Sequence, residues 1–109
     1  KKLDAEASAK RLIHEVGLED KIFRQFPVMM SGGEQQRVSI ARALAAGGRI
    51  LLADEPTGNL DSTNEETIVR ILKDHAHERG YLVIVITHNP SVYEQADIVY
   101  RMRDGVLKT

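Results

Sequence analysis

Cysteine and tryptophan are absent from this chain of 109 residues, and proline occurs only three times. Without cysteine the chain has neither disulfides nor thiolate metal sites, which is typical of proteins from a reducing compartment. The longest apolar runs, such as Leu82–Ile86, fall far short of the roughly 20 residues that span a bilayer. The remaining composition, with 42% hydrophobic and 28% charged residues, is that of one small folded domain.

An excess of charge of either sign is also missing. The net charge is -1, so the chain has no general attraction to nucleic acid or to an anionic membrane, and we predict no nucleic-acid partner. No signal peptide is visible, and the first residue is lysine rather than methionine. We therefore expect the chain to be a piece of a longer protein.

Helical periodicity dominates the first half of the chain. One amphipathic helix ends at Gly17, and a short helical stretch over Glu19–Gln25 is broken by Pro27. A third helix begins after Ser31, where Glu34 three residues later completes a capping box. Its apolar positions run with helical spacing as far as the Gly47-Gly48 pair, and they are Val38, Ala41, Leu44 and Ala45.

The second half alternates strands and helices. Ile50–Ala53 and Leu82–Ile86 are continuous apolar runs, which predicts strands buried on both faces. Between them Ser62 and Glu65 form a second capping box, and the helix that follows presents an apolar face made of Ile68, Val69, Leu72 and Ala76. Two strands joined by a helix predict an α/β fold with a parallel sheet.

Two further local signals lie near the end of the chain. Asn89 and Pro90 are typical of the N-cap and first position of a short helix. Alternating residues on either side of Asp104-Gly105 predict a C-terminal β-hairpin.

Two adjacent glycines stand where the third helix begins. Gly32 and Gly33 each cost roughly 1 kcal/mol against alanine in a helical turn, so local stability does not explain them. A helix N-terminus without side chains offers N–H donors and the positive end of a dipole. The pair therefore suggests that a phosphate comes close to this backbone.

Polar residues follow both predicted strands at the end where parallel sheets bind ligands. Asp54 and Glu55 follow the first strand, and Thr87 and His88 follow the second. Adjacent carboxylates on an extended backbone point to opposite sides, so one could hold a hard cation and the other could deprotonate a water. Taken singly, each of these residues is better explained as a solvated position at a strand exit.

The other histidines and arginines have simpler interpretations. We predict that His14, His75 and His77 lie on exposed helix positions and hold no zinc. A group of arginines is interpreted as a solvated face, and it consists of Arg37, Arg42 and Arg49.

Considered together, the glycine-rich helix start, the strand-end carboxylates and the histidine suit nucleoside triphosphate hydrolysis. The order of motifs then resembles that of ABC-type ATPases over essentially the whole chain. "MSGGEQQR" is similar to the signature motif, "ILLADEP" to the Walker B strand, "GNLD" to the D-loop and "VITH" to the switch-histidine strand. "DEPTGNLDS" further resembles the branch of lipoprotein-release, macrolide-export and cell-division transporters.

The resemblance implies a role for each matching residue. Asp54 would support Mg²⁺, Glu55 would be the general base, and His88 would contact the γ-phosphate of ATP. Asp61 would lie at the seam of a head-to-tail dimer with a second ATPase subunit. The signature residues would meet the nucleotide held by that other subunit, and they are Ser31, Gly32, Gly33 and Glu34.

The resemblance also implies an organisation and a location. Residues 1–45 would form an α-helical subdomain that faces transmembrane permease subunits, and residues 46–109 would be the C-terminal part of the RecA-like ATPase core. The protein would sit in the cytoplasm, peripheral on the inner face of the cell membrane. The transported substrate and the direction of transport do not follow from these residues.

A P-loop of the form G-x-x-x-x-G-K-[ST] is absent, because no lysine in the chain follows a glycine. We therefore expect this chain to be the C-terminal half of a nucleotide-binding domain, which is a partial P-loop NTPase core without its P-loop strand. We expect it to be inactive alone. The missing strand would leave unpaired sheet edges, so we expect the isolated piece to dimerise, swap elements or rearrange.

Two alternatives remain open at this point. Chromosome-maintenance and break-repair ATPases carry the same motifs on a separate lobe, but a long coiled coil precedes them there, and residues 3–26 here are interrupted at Gly17. The chain could also be a non-catalytic module that lends its signature motif to a partner's ATP.

Overall fold

The computed structural model of this chain describes residues 2–19 and 31–108. Four helices and four strands occur in these residues, and helices dominate the first half. In chain order they are α1 (Lys2–Glu15), α2 (Gly32–Ala45), β1 (Ile50–Asp54), α3 (Ser62–His77), β2 (Leu82–Ile86), α4 (Pro90–Tyr93), β3 (Arg101–Arg103) and β4 (Val106–Lys108). The helical stretch predicted over Glu19–Gln25 falls almost wholly outside the described residues.

Helix α1 ends as its sequence predicts. Gly17 has a φ of +78°, in the left-handed region that glycine adopts without steric cost. Its N–H donates to the carbonyl of His14, and the N–H of Leu18 donates to the carbonyl of Ile13. This pair of bonds is a Schellman cap, and the buried side chains of Ile13 and Leu18 accompany it.

Helix α2 begins with the predicted capping box. The Ser31 hydroxyl accepts from the N–H of Glu34 at 3.1 Å, and the Glu34 carboxylate accepts from the N–H of Ser31 at 3.1 Å. Two N–H groups at the helix start are thereby satisfied reciprocally. The buried positions on α2 are Gly33, Ile40, Ala41 and Leu44, whereas the predicted core position Ala45 is exposed.

The β1–α3–β2 unit forms the predicted parallel pair. Strands β1 and β2 run side by side, with Ile50 opposite Leu82 and Asp54 opposite Ile86. Both strands therefore end at the same edge of the sheet. The polar residues that follow the two strands in sequence lie at this edge.

The cap of α3 differs from the prediction. Asp61 is the N-cap, and its carboxylate accepts from the N–H of Asn64 at 2.8 Å. Ser62 is the first helical residue, and the Glu65 carboxylate instead accepts from the hydroxyl of Ser91. The prediction of a Ser62–Glu65 capping box was wrong, because Asp61 is an equally good cap that lies one residue earlier.

A single apolar cluster joins α1, α2, β1 and α3. Val16, Leu51 and Ile68 are at most 2% exposed, and residues from both sides of position 45 belong to the same cluster. The boundary between a helical subdomain and the ATPase core at residues 45 and 46 remains a prediction, and the two parts share packing across it.

The prediction that both strands are buried on both faces was wrong. Leu51 is buried, and Ala53, Val83 and Val85 pack against the core, but the opposite face of the two-stranded sheet is exposed. We call this opposite face the open sheet face, and it consists of Ile50, Leu52, Leu82, Ile84 and Ile86, each between 44% and 63% exposed.

His75 was also predicted wrongly. Its side chain is 1% exposed, its Nδ1 donates to the carbonyl of Ile71 at 2.8 Å, and its ring meets that of Tyr81 edge to face. The donor role of Nδ1 is assigned because a carbonyl can only accept. His75 lies seven residues after Ile68 and three after Leu72, so it continues the buried stripe of α3. His14 and His77 are exposed as predicted.

The C-terminal elements follow their local signals. Asn89 caps α4 by accepting from the N–H of Ser91, with Pro90 at the first helical position. Strands β3 and β4 pair antiparallel across Asp104 and Gly105, which both have positive φ, as a two-residue hairpin turn requires. Within the described residues the two strand pairs form separate sheets. None of the described helices combines the length and the apolar character needed to cross a membrane.

Candidate functional site

The carboxyl ends of β1 and β2 bring two predicted site residues into contact. Glu55 follows the last residue of β1, and its N–H donates to the carbonyl of Ile86, which extends the parallel ladder by one residue. His88 follows β2 by two residues. The Nδ1 atom of His88 lies 2.5 Å from Oε1 of Glu55. The predicted proximity of Glu55 and His88 is therefore present in the fold.

Both carboxylate oxygens of Glu55 are held. The backbone N–H of His88 donates to Oε1 at 3.1 Å, and the hydroxyl of Thr87 donates to Oε2 at 3.2 Å. The same hydroxyl accepts from the N–H of Asn89 at 3.0 Å, which orients it toward the carboxylate. We call Glu55, Thr87, His88 and Asn89 the strand-end cluster.

The environment of Glu55 changes the pKa of its carboxyl group. Partial burial raises the pKa of the carboxyl, but the hydrogen bonds from the His88 ring and the Thr87 hydroxyl lower it, and so do the charge and the backbone N–H of His88. The net effect places the pKa of Glu55 below its ordinary value of 4.5. Glu55 is therefore a carboxylate at neutral pH, able to accept a proton.

The backbone at Glu55 corrects one sequence argument. The notion that Asp54 and Glu55 project to opposite sides assumed an extended chain, but Glu55 has a φ of +46°. A non-glycine residue in the left-handed region is strained, and such residues are common at functional sites. The chain turns here, since the N–H of Gly58 donates to the carbonyl of Glu55. Asp54 is exposed and, among the described residues, makes no side-chain hydrogen bond or ion pair.

The sequence analysis missed Thr57 as a part of this site, and it named Thr87 only as a polar residue at a strand end. Thr57 is 4% exposed, and its hydroxyl accepts from the side-chain amide of Asn89 at 3.4 Å. Thr87 donates to Glu55 directly. The available signal for Thr57 was its position two residues after Glu55, in the segment that leaves β1.

The signature residues lie in a second place, which we call the cap cluster, and it consists of Ser31–Glu34, Arg37, Leu60, Asp61 and Asn64. Ser31 and Glu34 use their side chains to cap α2. Gly32 is exposed, and a Cβ atom there would meet Leu60 at 3.1 Å. Gly33 is buried, and a Cβ atom there would lie 2.1 Å from Oδ1 of Asn64. Gly33 therefore has a packing reason within the chain that the sequence analysis missed.

Asp61 belongs to the cap cluster as well. It is exposed, and its carboxylate is engaged with the N–H of Asn64 at the start of α3. A cavity of about 310 Å³ lies between α2 and the loop that precedes Asp61, with Gly32, Gly58 and Leu60 on its walls. A larger cavity of about 640 Å³ lies elsewhere, between α1 and the start of β1, and no predicted site residue lines it.

The side chains at the strand ends supply few oxygen ligands for a hard cation. No group of three or more potential metal-ligating side chains occurs in residues 2–19 and 31–108. Asp54 supplies one exposed carboxylate. Mg²⁺ commonly takes only one or two protein carboxylates, and water and substrate phosphates complete its shell, so a single carboxylate is compatible with it.

Comparison with known proteins gives consistent matches. Residues 2–58 match the family described as ABC transporter. Over 97 residues, or 89% of the chain, the sequence is 50% identical to the macrolide export ATP-binding/permease protein MacB of Escherichia coli (strain K12) and to that of Shigella boydii serotype 4 (strain Sb227). The chain spans 15% of the length of these curated relatives.

Solved structures match over the whole chain. A dimeric structure of MJ0796, a bacterial ABC transporter cassette, aligns with a TM-score of 0.86 and 37% identity. A dimeric post-hydrolysis state of the same cassette, bound to ADP and Pi, aligns with a TM-score of 0.85 and 36% identity. The chain covers 47% of each cassette.

Proposed function

Because this chain belongs to the ABC transporter family, we propose that it is the C-terminal half of a nucleotide-binding domain that hydrolyses ATP to drive transport. The contact between Glu55 and His88 at the ends of two parallel strands carries this proposal. The matched cassette MJ0796 has the same fold, and one of its two structures holds ADP and Pi, the products of ATP hydrolysis.

Glu55 is proposed as the general base. Its carboxylate takes a proton from the attacking water, the water oxygen bonds to the γ-phosphorus, and the bond from that phosphorus to the oxygen of ADP breaks. The lowered pKa of Glu55 keeps it ionised for this step. Thr87 holds Oε2 by a hydrogen bond and so limits rotation of the carboxylate.

His88 is proposed to contact the γ-phosphate. Its side chain is 92% exposed, so the ring is free to turn from Glu55 toward a ligand beyond the strand ends. Asp54, the exposed carboxylate at the end of β1, would hold Mg²⁺. When bound, this cation neutralises charge on the phosphates.

The signature residues are proposed to act on a second copy of the domain. Ser31, Gly32, Gly33 and Glu34 lie in the cap cluster, and Glu55 and His88 lie in the strand-end cluster. No hydrogen bond in the described residues joins the two sets of side chains. The dimeric state of MJ0796 supports pairing of two copies. We propose that the pair is head-to-tail, that each copy completes the other's site, and that Asp61 lies at the seam.

The partners are proposed from the names of the relatives. MacB is described as an ATP-binding/permease protein, which supports a permease partner and a place on the cytoplasmic face of the membrane. The open sheet face supports the expectation that the rest of a cassette packs on this chain, because five large apolar side chains there are exposed. ATP turnover by the chain alone is not expected, since it has no P-loop.

Glu55→Gln in the intact protein tests the proposal. Glutamine keeps the shape of the side chain but accepts no proton, so we expect steady-state ATPase activity to fall about a hundredfold or more while ATP binding persists. Glu66→Gln makes the same chemical change at an exposed position on α3 and should leave activity unchanged. Undiminished hydrolysis by Glu55→Gln would remove Glu55 from the role of base.

A further inference from the structure

Among the described residues at the start of α3, Asn64 contacts α2 both by packing against Gly33 and by a hydrogen bond from Arg37. It lies in the first turn of α3 and is partly buried. Its N–H is fixed by the N-cap carboxylate of Asp61, at 2.8 Å. Its side chain rests against Gly33, where a Cβ atom would lie 2.1 Å from Oδ1 and 2.5 Å from Cγ.

Arg37 donates to the same oxygen of Asn64 that lies nearest to Gly33. The Nη2 atom of Arg37 donates to Oδ1 of Asn64 at 3.1 Å, and Nη1 donates to the carbonyl of Gly17 at 3.3 Å. Both acceptors are neutral, and Nε of Arg37 is buried without a partner in the described part of the chain. Within residues 2–19 and 31–108 this guanidinium donates two hydrogen bonds, and loss of Asn64 would remove one of them.

These contacts connect three elements at one point. Gly17 ends α1, Gly33 and Arg37 belong to the first turns of α2, and Asn64 belongs to the first turn of α3, next to Asp61. Packing at Gly33 fixes how closely α2 approaches α3, and the hydrogen bond fixes the direction of the Asn64 side chain. The N-terminus of α2 is thereby set relative to Asp61 by a side chain outside the recognised motif letters.

From this geometry we infer that Asn64 is a positioning residue for ATP hydrolysis: it sets the N-terminus of α2 against the start of α3 without touching ATP. The inference rests on the proposed function, in which Gly33 and Asp61 both face a second copy of the domain. Misplacement of a reacting arrangement by about 1 Å costs up to about a hundredfold in rate, so a loosened α2 should slow turnover.

Steady-state kinetics of the intact protein test the inference. We expect Asn64→Ala to lower kcat about tenfold while KM for ATP changes less than about twofold, because the nucleotide is held by other residues before the dimer closes. Asn64→Asp keeps an acceptor for Arg37 and should restore most of kcat. Thr63→Ala, at an exposed position in the same helical turn, is the matched control. Kinetics of Asn64→Ala equal to those of Thr63→Ala would overturn the inference, as would a rise in KM without a fall in kcat.

A double-mutant cycle separates this inference from the proposed function. The denaturation midpoint is measured for the wild type, Gly33→Ala, Asn64→Ala and the double variant. If Asn64 is what excludes a side chain at position 33, Gly33→Ala should lower the midpoint much less in the Asn64→Ala background. Strictly additive shifts would overturn the packing claim, even for a protein that hydrolyses no ATP. Absence of ATPase activity in the wild type, with coupling intact, would overturn the proposed function instead.

Discussion

The strand-end cluster and the cap cluster both contain motif residues of this chain, but they are built from different kinds of contact. The strand-end cluster is built from side chains that contact each other: a carboxylate, an imidazole and a hydroxyl, with His88 largely in solvent. The cap cluster is built from helix ends and close packing, and Asn64 occupies the space that a side chain at position 33 would need. Substitutions in the first should change chemistry, whereas substitutions in the second should change geometry and stability.

The largest expected effect is on ATPase activity, and it comes from a substitution in the strand-end cluster. His88→Ala in the intact protein should lower ATPase activity about a hundredfold, because it removes a group proposed to stabilise charge on the γ-phosphate. The unfolding free energy should change little, since His88 is exposed. His77→Ala is the control, because His77 is an exposed histidine that pairs with Asp97 far from the strand ends in sequence. Equal activities of the two variants would argue against a role for His88.

The next effect contrasts the two adjacent glycines. Gly33→Ala forces a methyl group against Asn64 and should destabilise the fold by about 1–3 kcal/mol, the usual cost of overpacking. Gly32→Ala meets only the end of the flexible Leu60 side chain and gains helix propensity, so it should be close to neutral. Chemical denaturation of the intact protein measures both. Equal costs would show that Asn64 does not limit the space at position 33.

A smaller effect tests which residue caps α3. Asp61→Ala should cost about 1 kcal/mol of unfolding free energy, the typical value of an N-cap. Ser62→Ala should cost less than about 0.5 kcal/mol, because Ser62 is a helical residue at an exposed position. Thermal denaturation of both variants decides between the observed cap and the one predicted from sequence.

The smallest effect is a pH dependence. The pKa of Glu55 is lower in the folded state than its ordinary value of 4.5, so the unfolded state binds more protons as the pH falls. The stabilisation is complete above about pH 4.5 and is lost as the pH drops through the lowered pKa. Glu55→Gln should remove this component from the unfolding midpoint measured between about pH 3 and 6. If the Glu55→Gln variant had the same pH profile of stability as the wild type, the predicted contribution of Glu55 would be contradicted.

Local sequence signals predicted the elements well. The capping box at Ser31 and Glu34, the end of α1 at Gly17 and the hairpin at Asp104 and Gly105 are confirmed, because each depends on residues near in sequence. The proximity of Glu55 and His88 was also predictable, since parallel strands end at one edge of a sheet.

Predictions that depended on distant packing were less successful. The burial of His75 and the exposure of Ile50 depend on which elements cover them, and apolar character alone does not reveal that. The contact between Gly33 and Asn64 joins residues 31 positions apart, so no local spacing indicates it. Asp61 and Ser62 are adjacent and both are good N-cap residues, so the sequence alone does not decide which of them caps α3.

The open sheet face has a practical consequence for production of the chain by itself. Five large aliphatic side chains form an exposed strip beside β-strand edges that are unpaired within the described residues. Such strips recruit further molecules during overexpression. Recombinant cells making only these 109 residues should therefore deposit them in inclusion bodies, and co-expression with the remaining half of a cassette should bring them into the clarified lysate.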